Sequence, residues 1–206
     1  MKLKFKLMRK DCGNVDFSLI SDNGGCLGNI SIGHKNYSFN FSGSVQIGDK
    51  NVKFERIRYW ESRLHNPYKH ITRRPLCPYR ITGFYSEGWM FEQSTLKYGF
   101  PRLCLDTGSF VTYIAGFGKE GLTAAFYKDD QKIGTAHRQY KIINDQYDFD
   151  MNVDENYLME ATLMVLQWYL NSYYTGNHNV MSIDYTNLTT KDEFLLQKVL
   201  QEDPFI

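Results

Sequence analysis

One stretch of this chain gathers most of the side chains that could grip an anion. Lys53, Arg56, Arg58, Arg63, Lys69, Arg73, Arg74 and Arg80, joined by His65 and His70, have only Glu55 and Glu61 as nearby carboxylates. Guanidinium forks match phosphate oxygens two at a time, and Tyr59, Trp60 and Tyr68 stand among them. The candidate ligand-binding residues are therefore Arg56, Arg58, Arg63, Lys69, Arg73, Arg74 and Arg80. The competing account is a solvated loop whose charge is balanced by the acidic stretch 145–155. Nucleic acid is not expected, because no recognised RNA- or DNA-binding module accompanies these charges.

Covalent or acid–base chemistry has weaker candidates. His65, His70, His137 and the pair Cys104 and Asp106 are the available groups, and none lies in a nucleophile elbow, an HExxH motif or a metal-ligand spacing. A lone Cys is more often a small core hydrophobe than a nucleophile. Gly116, Gly118 and Gly121 satisfy GxGxxG, but a dinucleotide site needs a helix to begin within the motif, and the strand-like run Leu122–Tyr127 follows instead. A hairpin is the expected structure there. No catalytic residue, metal or cofactor is expected, and the chain reads as a non-enzyme.

What must position the cationic residues is legible from composition and period. Hydrophobic residues make up 42% and aromatics 16% of 206 residues, enough for one sizeable core and too many for global disorder. A formal charge of +1 gives no global field, so any polyanionic partner must meet a local patch. Cys12, Cys26, Cys77 and Cys104 are widely spaced with no CxxC pair, which suggests free thiols in a reducing cytoplasm. The N-terminus alternates charged and apolar residues from Lys2 to Leu7, so it predicts a strand and lacks the apolar run of a secretory signal.

Period two dominates the first 155 residues. Leu3, Phe5 and Leu7; Val15, Phe17 and Leu19; Ile30 and Ile32; Tyr37, Phe39 and Phe41; and Val45 and Ile47 form alternating runs. Turn clusters at 22–25, 33–36 and 48–51 separate them. The stretch Glu61–Pro78, with three prolines and several cations, reads as a long surface loop. Strands resume at Ile81–Tyr85 and Trp89–Glu92. After a less regular stretch come Phe110–Ala115, Leu122–Tyr127, Lys132–Ala136, Tyr140–Ile143 and Tyr147–Val153, for about a dozen strands in all.

From Asn156 to Tyr174 the period changes, and apolar residues occupy nearly every side of a helix whose polar exceptions are Glu160, Thr162, Gln167 and Asn171. Asp154 and Glu155 suit its N-terminus, and Gly176 lies just past its end. A helix apolar all round must be surrounded. It barely reaches membrane-spanning length, contains Gln167 and Asn171 and has no basic flank, so it is not expected to be transmembrane. The chain's own sheet is the better surround: eight strands fill a barrel with their own side chains, whereas about eleven leave room for a central helix. The predicted fold is a mainly β, single closed antiparallel barrel of about twelve strands (1–176) enclosing the helix 156–174. An extension, 177–206, follows, in which Thr190 and Glu193 resemble a capping box and Phe194, Leu195, Val199 and Leu200 make a short amphipathic helix.

The run Gly116–Lys128, then Ile133–Arg138, then Tyr147–Glu155 leading into Leu163–Trp168, resembles the tubby C-terminal-like superfamily, which includes LURP-one-related proteins and phospholipid scramblases. The likeness covers most of residues 1–176, and the chain departs from it after Gly176. It implies a β-barrel around a hydrophobic helix and binding to phosphoinositides or a membrane surface, and it assigns no ligand residue to a position here. The expected function is thus non-enzymatic binding of an anionic lipid or membrane surface through the basic loop. The alternative is a protein-interaction or regulatory module whose partner docks on the amphipathic helix at 190–202.

Overall fold

A computed structural model of the chain describes residues 1–10, 14–34, 41–57, 76–94, 99–116, 122–129, 131–138 and 148–174. Twelve strands form a closed antiparallel barrel: β1 (Lys2–Lys10), β2 (Asn14–Ser21), β3 (Cys26–His34), β4 (Phe41–Ile47), β5 (Lys50–Arg56), β6 (Leu76–Gly83), β7 (Gly88–Ser94), β8 (Gly99–Leu105), β9 (Gly108–Gly116), β10 (Leu122–Lys128), β11 (Gln131–Arg138) and β12 (Phe149–Val153). Each strand pairs with its neighbours in sequence, and β1 closes the ring against β12 with Lys2 opposite Asn152 and Phe5 opposite Phe149. The N-terminal ammonium seals the seam by donating to the Val153 carbonyl at 2.6 Å. Closure removes the sheet edges that would otherwise invite pairing with other chains.

The alternating runs put their apolar members inside. Leu3 and Phe5, Val15, Phe17 and Leu19, Ile30 and Ile32, and Val52 and Phe54 are buried, and most of the residues between them are exposed or partly so. Gly43 belongs to the same inward row of β4. A Cβ there would lie 2.7 Å from the Phe54 ring and 2.0 Å from the Ser31 carbonyl oxygen, so the ring occupies the space a side chain would need.

What fills the barrel is the helix. Asp154 caps a short 3-10 turn, Glu155–Tyr157, by accepting from the Asn156 N–H at 3.0 Å, and α1 runs from Leu158 to Tyr174. Every side chain from Met159 to Asn171 is buried. Three of the four polar exceptions have local answers. The Thr162 hydroxyl donates back to Leu158 O at 2.7 Å, Gln167 Nε2 donates to the Phe91 carbonyl at 2.9 Å, and Glu160 hydrogen-bonds the Tyr85 phenol. Desolvation of Tyr85, then the Glu160 charge, pushes that phenol well above its ordinary pKa. Among the described residues, no helix is long and apolar enough to cross a membrane.

Three expectations about strands need correction. The stretch read as a loop up to Pro78 already includes the start of β6, whose register against β7 shifts between Leu76 and Tyr79. A proline, which has no N–H to donate, fits at such an irregularity. The less regular stretch before Phe110 holds β8, in which Pro101 stands just where the β8–β9 register, Arg102 to Leu105, ends. β5 also forms a full strand after the 48–49 turn. The predicted strand Tyr140–Ile143 lies outside the described residues, as do Tyr37 and Phe39.

The two rims of the barrel differ. At one, which the chain enters from β12 into α1, the strands are joined by residues 22–25, 48–49, 84–87, 106–107 and 129–130. These turns use the expected chemistry: Gly24 and Gly48 sit at φ +82° and +54°, and Asp129 tolerates +52°. Every connection longer than four residues joins strand ends at the far rim, where α1 also ends.

Candidate functional site

The basic set straddles the longest of these connections, the one between β5 and β6. Arg56 ends β5 at the far rim, in the inward row of Val52 and Phe54 and opposite the buried Tyr79. It is half-buried and already engaged in an interaction. Arg80 lies one pair further along the same ladder, opposite Glu55, on the outer face, where it makes an ion pair of 3.7 Å with Glu87. Both partners are about half exposed, so this pair contributes at most ~1 kcal/mol. Arg56 and Arg80 are thus adjacent in register but on opposite faces of the wall, and one ligand cannot bridge them through the sheet. Arg58, Arg63, Lys69, Arg73 and Arg74 lie outside the described residues, as does the segment 190–202 expected to meet a protein partner. The acidic stretch offered as a counterweight has its own engagement: Asp150 pairs with Lys4 at 3.7 Å across the closing seam.

The far rim also holds an arginine that the sequence does not single out as a candidate. Arg138 ends β11 on the inward row of Gly134 and Ala136 and is 3% exposed. Its guanidinium lies over the Trp168 ring of α1, 5.5 Å from the centroid. Trp168 in turn packs edge-on against Phe149 at 5.1 Å, and Tyr169 against Phe17 at 4.8 Å. The rim end of α1 carries the negative pole of the helix and has no basic residue in its own last turn. Arg138 and Arg56 bring positive charge to this rim from β11 and β5, strands on opposite sides of the ring. The signal for Arg138 was present in the sequence, because the alternation through Ala136 leads to it. Its charge argued the other way.

Of the groups considered for catalysis, Cys104, Asp106 and His137 are held in structural contacts. The Cys104 thiol, 2% exposed, is packed with Trp89 and Phe91 on the outer side of the wall. Burial pushes its pKa up, against smaller opposing effects of the Ser109 hydroxyl and Arg102. A sealed, protonated thiol is a poor nucleophile. Asp106 belongs to the β8–β9 turn and accepts from the Ser86 N–H at 3.1 Å and the Ser86 hydroxyl at 2.9 Å, which lowers its pKa. Cys104 and Asp106 therefore serve different partners. His137 sits in the wall with Nδ1 3.1 Å from the Thr123 hydroxyl. His65 and His70 lie outside the described residues. Among the described residues, no three His, Cys, Asp or Glu side chains converge as a metal would require. The GxGxxG segment joins β9 to β10, with Gly116 opposite Leu122, and so spans a strand-to-strand connection.

No protein-family model, curated protein or solved structure matches the chain.

Proposed function

We propose that the protein is a non-enzymatic binding domain that takes an anionic membrane surface at its far rim, through the basic residues from Arg56 to Arg74. The observation that carries this reading is the position of β5 and β6. The connection between them begins beside Arg56 at the rim that carries all the long connections, and it contains Arg58, Arg63, Lys69, Arg73 and Arg74 against one carboxylate, Glu61. Long connections on a rigid scaffold are where binding surfaces are usually built. The likeness of the strands feeding α1 to the tubby C-terminal-like superfamily supports the same class of ligand.

Sedimentation with vesicles tests it. The chain is expected to pellet with vesicles containing phosphatidylserine and to stay in solution with phosphatidylcholine alone, and added salt should release it. Each basic residue near an anionic bilayer contributes about 1 kcal/mol, so Arg73→Ala with Arg74→Ala is expected to weaken binding about 30-fold. Equal recovery on neutral and anionic vesicles would remove the reading.

A further inference from the structure

The outward side of β7–β11 is covered. Trp89, Phe91, Cys104, Val111, Ala125 and Tyr127 all point away from the central helix, yet none is more than 8% exposed. Residues on the bare face of a sheet stay in water, as Lys4, Lys6 and Lys53 do on β1 and β5. Polar atoms on the covered side are also out of solvent: Trp89 Nε1, Arg102 Nε, Lys132 Nζ and Thr135 Oγ1 have no hydrogen-bond partner among the described residues. Ile57 is the one described hydrophobic residue beyond these strands that joins the two outer clusters. The burial is that of a single chain, so the cover is made by other residues of the same chain.

Two segments outside the described residues are long enough to serve, 58–75 and 175–206. The other connections hold at most nine residues and must return to a neighbouring strand, so none crosses five strands. Charge separates the two. Residues 58–75 would set Arg58, Arg63, Lys69, Arg73 and Arg74 against Arg102 and Lys132, with Glu61 as their one carboxylate. Residues 175–206 bring Asp184, Asp192, Glu193, Glu202 and Asp203 against Lys191 and Lys198, and two cations out of water require such acceptors. Pattern and length fit as well. Leu195, Leu196, Val199 and Leu200 fall on one side of a helix that starts at the Thr190 cap, and its thirteen residues to Glu202 extend about 20 Å. Five strands at their usual spacing span about 19 Å. We infer that residues 190–202 lie as an amphipathic helix across the outer face of β7–β11, with the apolar side on the Trp89 and Tyr127 clusters and carboxylates toward Arg102 and Lys132. The helix that would suit a protein partner is thereby taken up within its own chain. This placement stands apart from the membrane-surface reading.

Cys104 reports the cover, because its thiol is 2% exposed and packs in the Trp89 cluster. With Cys12, Cys26 and Cys77 changed to Ser, the full chain keeps one thiol, and its rate of reaction with a maleimide measures how often the cover opens. Leu195→Asp with Val199→Asp is expected to raise that rate at least about 100-fold while the circular dichroism of the barrel is kept. Gln197→Asp with Gln201→Asp, on the opposite side of the helix, should leave it unchanged. If the first pair unfolds the chain, Leu195→Ala with Val199→Ala takes its place, with a rise of about 10-fold expected in a chain of native circular dichroism. An unchanged rate in the folded variant overturns the proposal and passes the cover to residues 58–75. Protection of Cys104 that falls on dilution would mean that two copies exchange their helices, and it overturns the placement within one chain.

Discussion

Strands β1–β5 and strands β7–β10 turn the same kind of apolar face inward, but their outward faces differ. On the first flank Lys4, Lys6, Asn29, Ser31, Lys53 and Glu55 are exposed, and neighbours tie across strands by polar contacts such as Ser31 Oγ donating to Asp16 at 2.8 Å. On the second, Trp89, Phe91, Cys104, Val111, Ala125 and Tyr127 point outward and are at most 8% exposed. They form two separate clusters outside the barrel core, one around Trp89 and Cys104 and the other around Val111 and Tyr127. One flank is a wall with a wet side, and the other is buried on both sides. The same strand geometry therefore carries two different substitution tolerances.

The largest effect that should separate the flanks is truncation of an outward ring. Trp89→Ala is expected to cost about 3–5 kcal/mol, as for a buried aromatic, whereas Ser18→Ala on the outward face of β2 should stay within about 0.5 kcal/mol. Urea midpoints of the two variants measure the contrast, and similar small losses would mean that the second flank is not sealed. A smaller effect concerns polar groups caught in that burial. Thr123 is 1% exposed and its hydroxyl meets His137, so Thr123→Val should cost about 1 kcal/mol, while Ser31→Ala should change the urea midpoint little. The smallest is a pH effect confined to the buried flank. Because burial raises the Cys104 pKa above its ordinary 9.0, the stability it contributes is full below that value and is lost as pH rises through it towards the folded value. Between about pH 8 and about pH 10 the wild type should lose more stability than Cys104→Ala. Equal losses would place the thiol in water.

The same contrast explains what could be read from residues alone. β1, β2 and β3 were plain because a strand with one wet face must alternate, and α1 was plain because a helix apolar on every side has to be enclosed. β10, the run Leu122–Lys128, was recognisable mainly by its length and turn signals, since burial on both faces erases the alternation. β8 was lost because Gly99, Pro101 and Arg102 argue against a strand one residue at a time, and only the ladder with β7 overrides them. At the candidate site, the sequence grouped Arg56 with Arg80 because they are close in number, but the pleat divides them between the inner and outer faces. Arg138 went unnoticed for the reverse reason: its surroundings, Trp168 above all, come from a segment thirty residues away.

The seam between β1 and β12 joins atoms 152 residues apart in the chain, and the helix that fills the interior is made only after the last strand. A ribosome-bound chain that stops short of Leu158 has inner faces and nothing to lay against them. Folding must therefore wait until the helix itself has been made, at the slow pace of distant pairings, with a large apolar surface open to capture in the meantime.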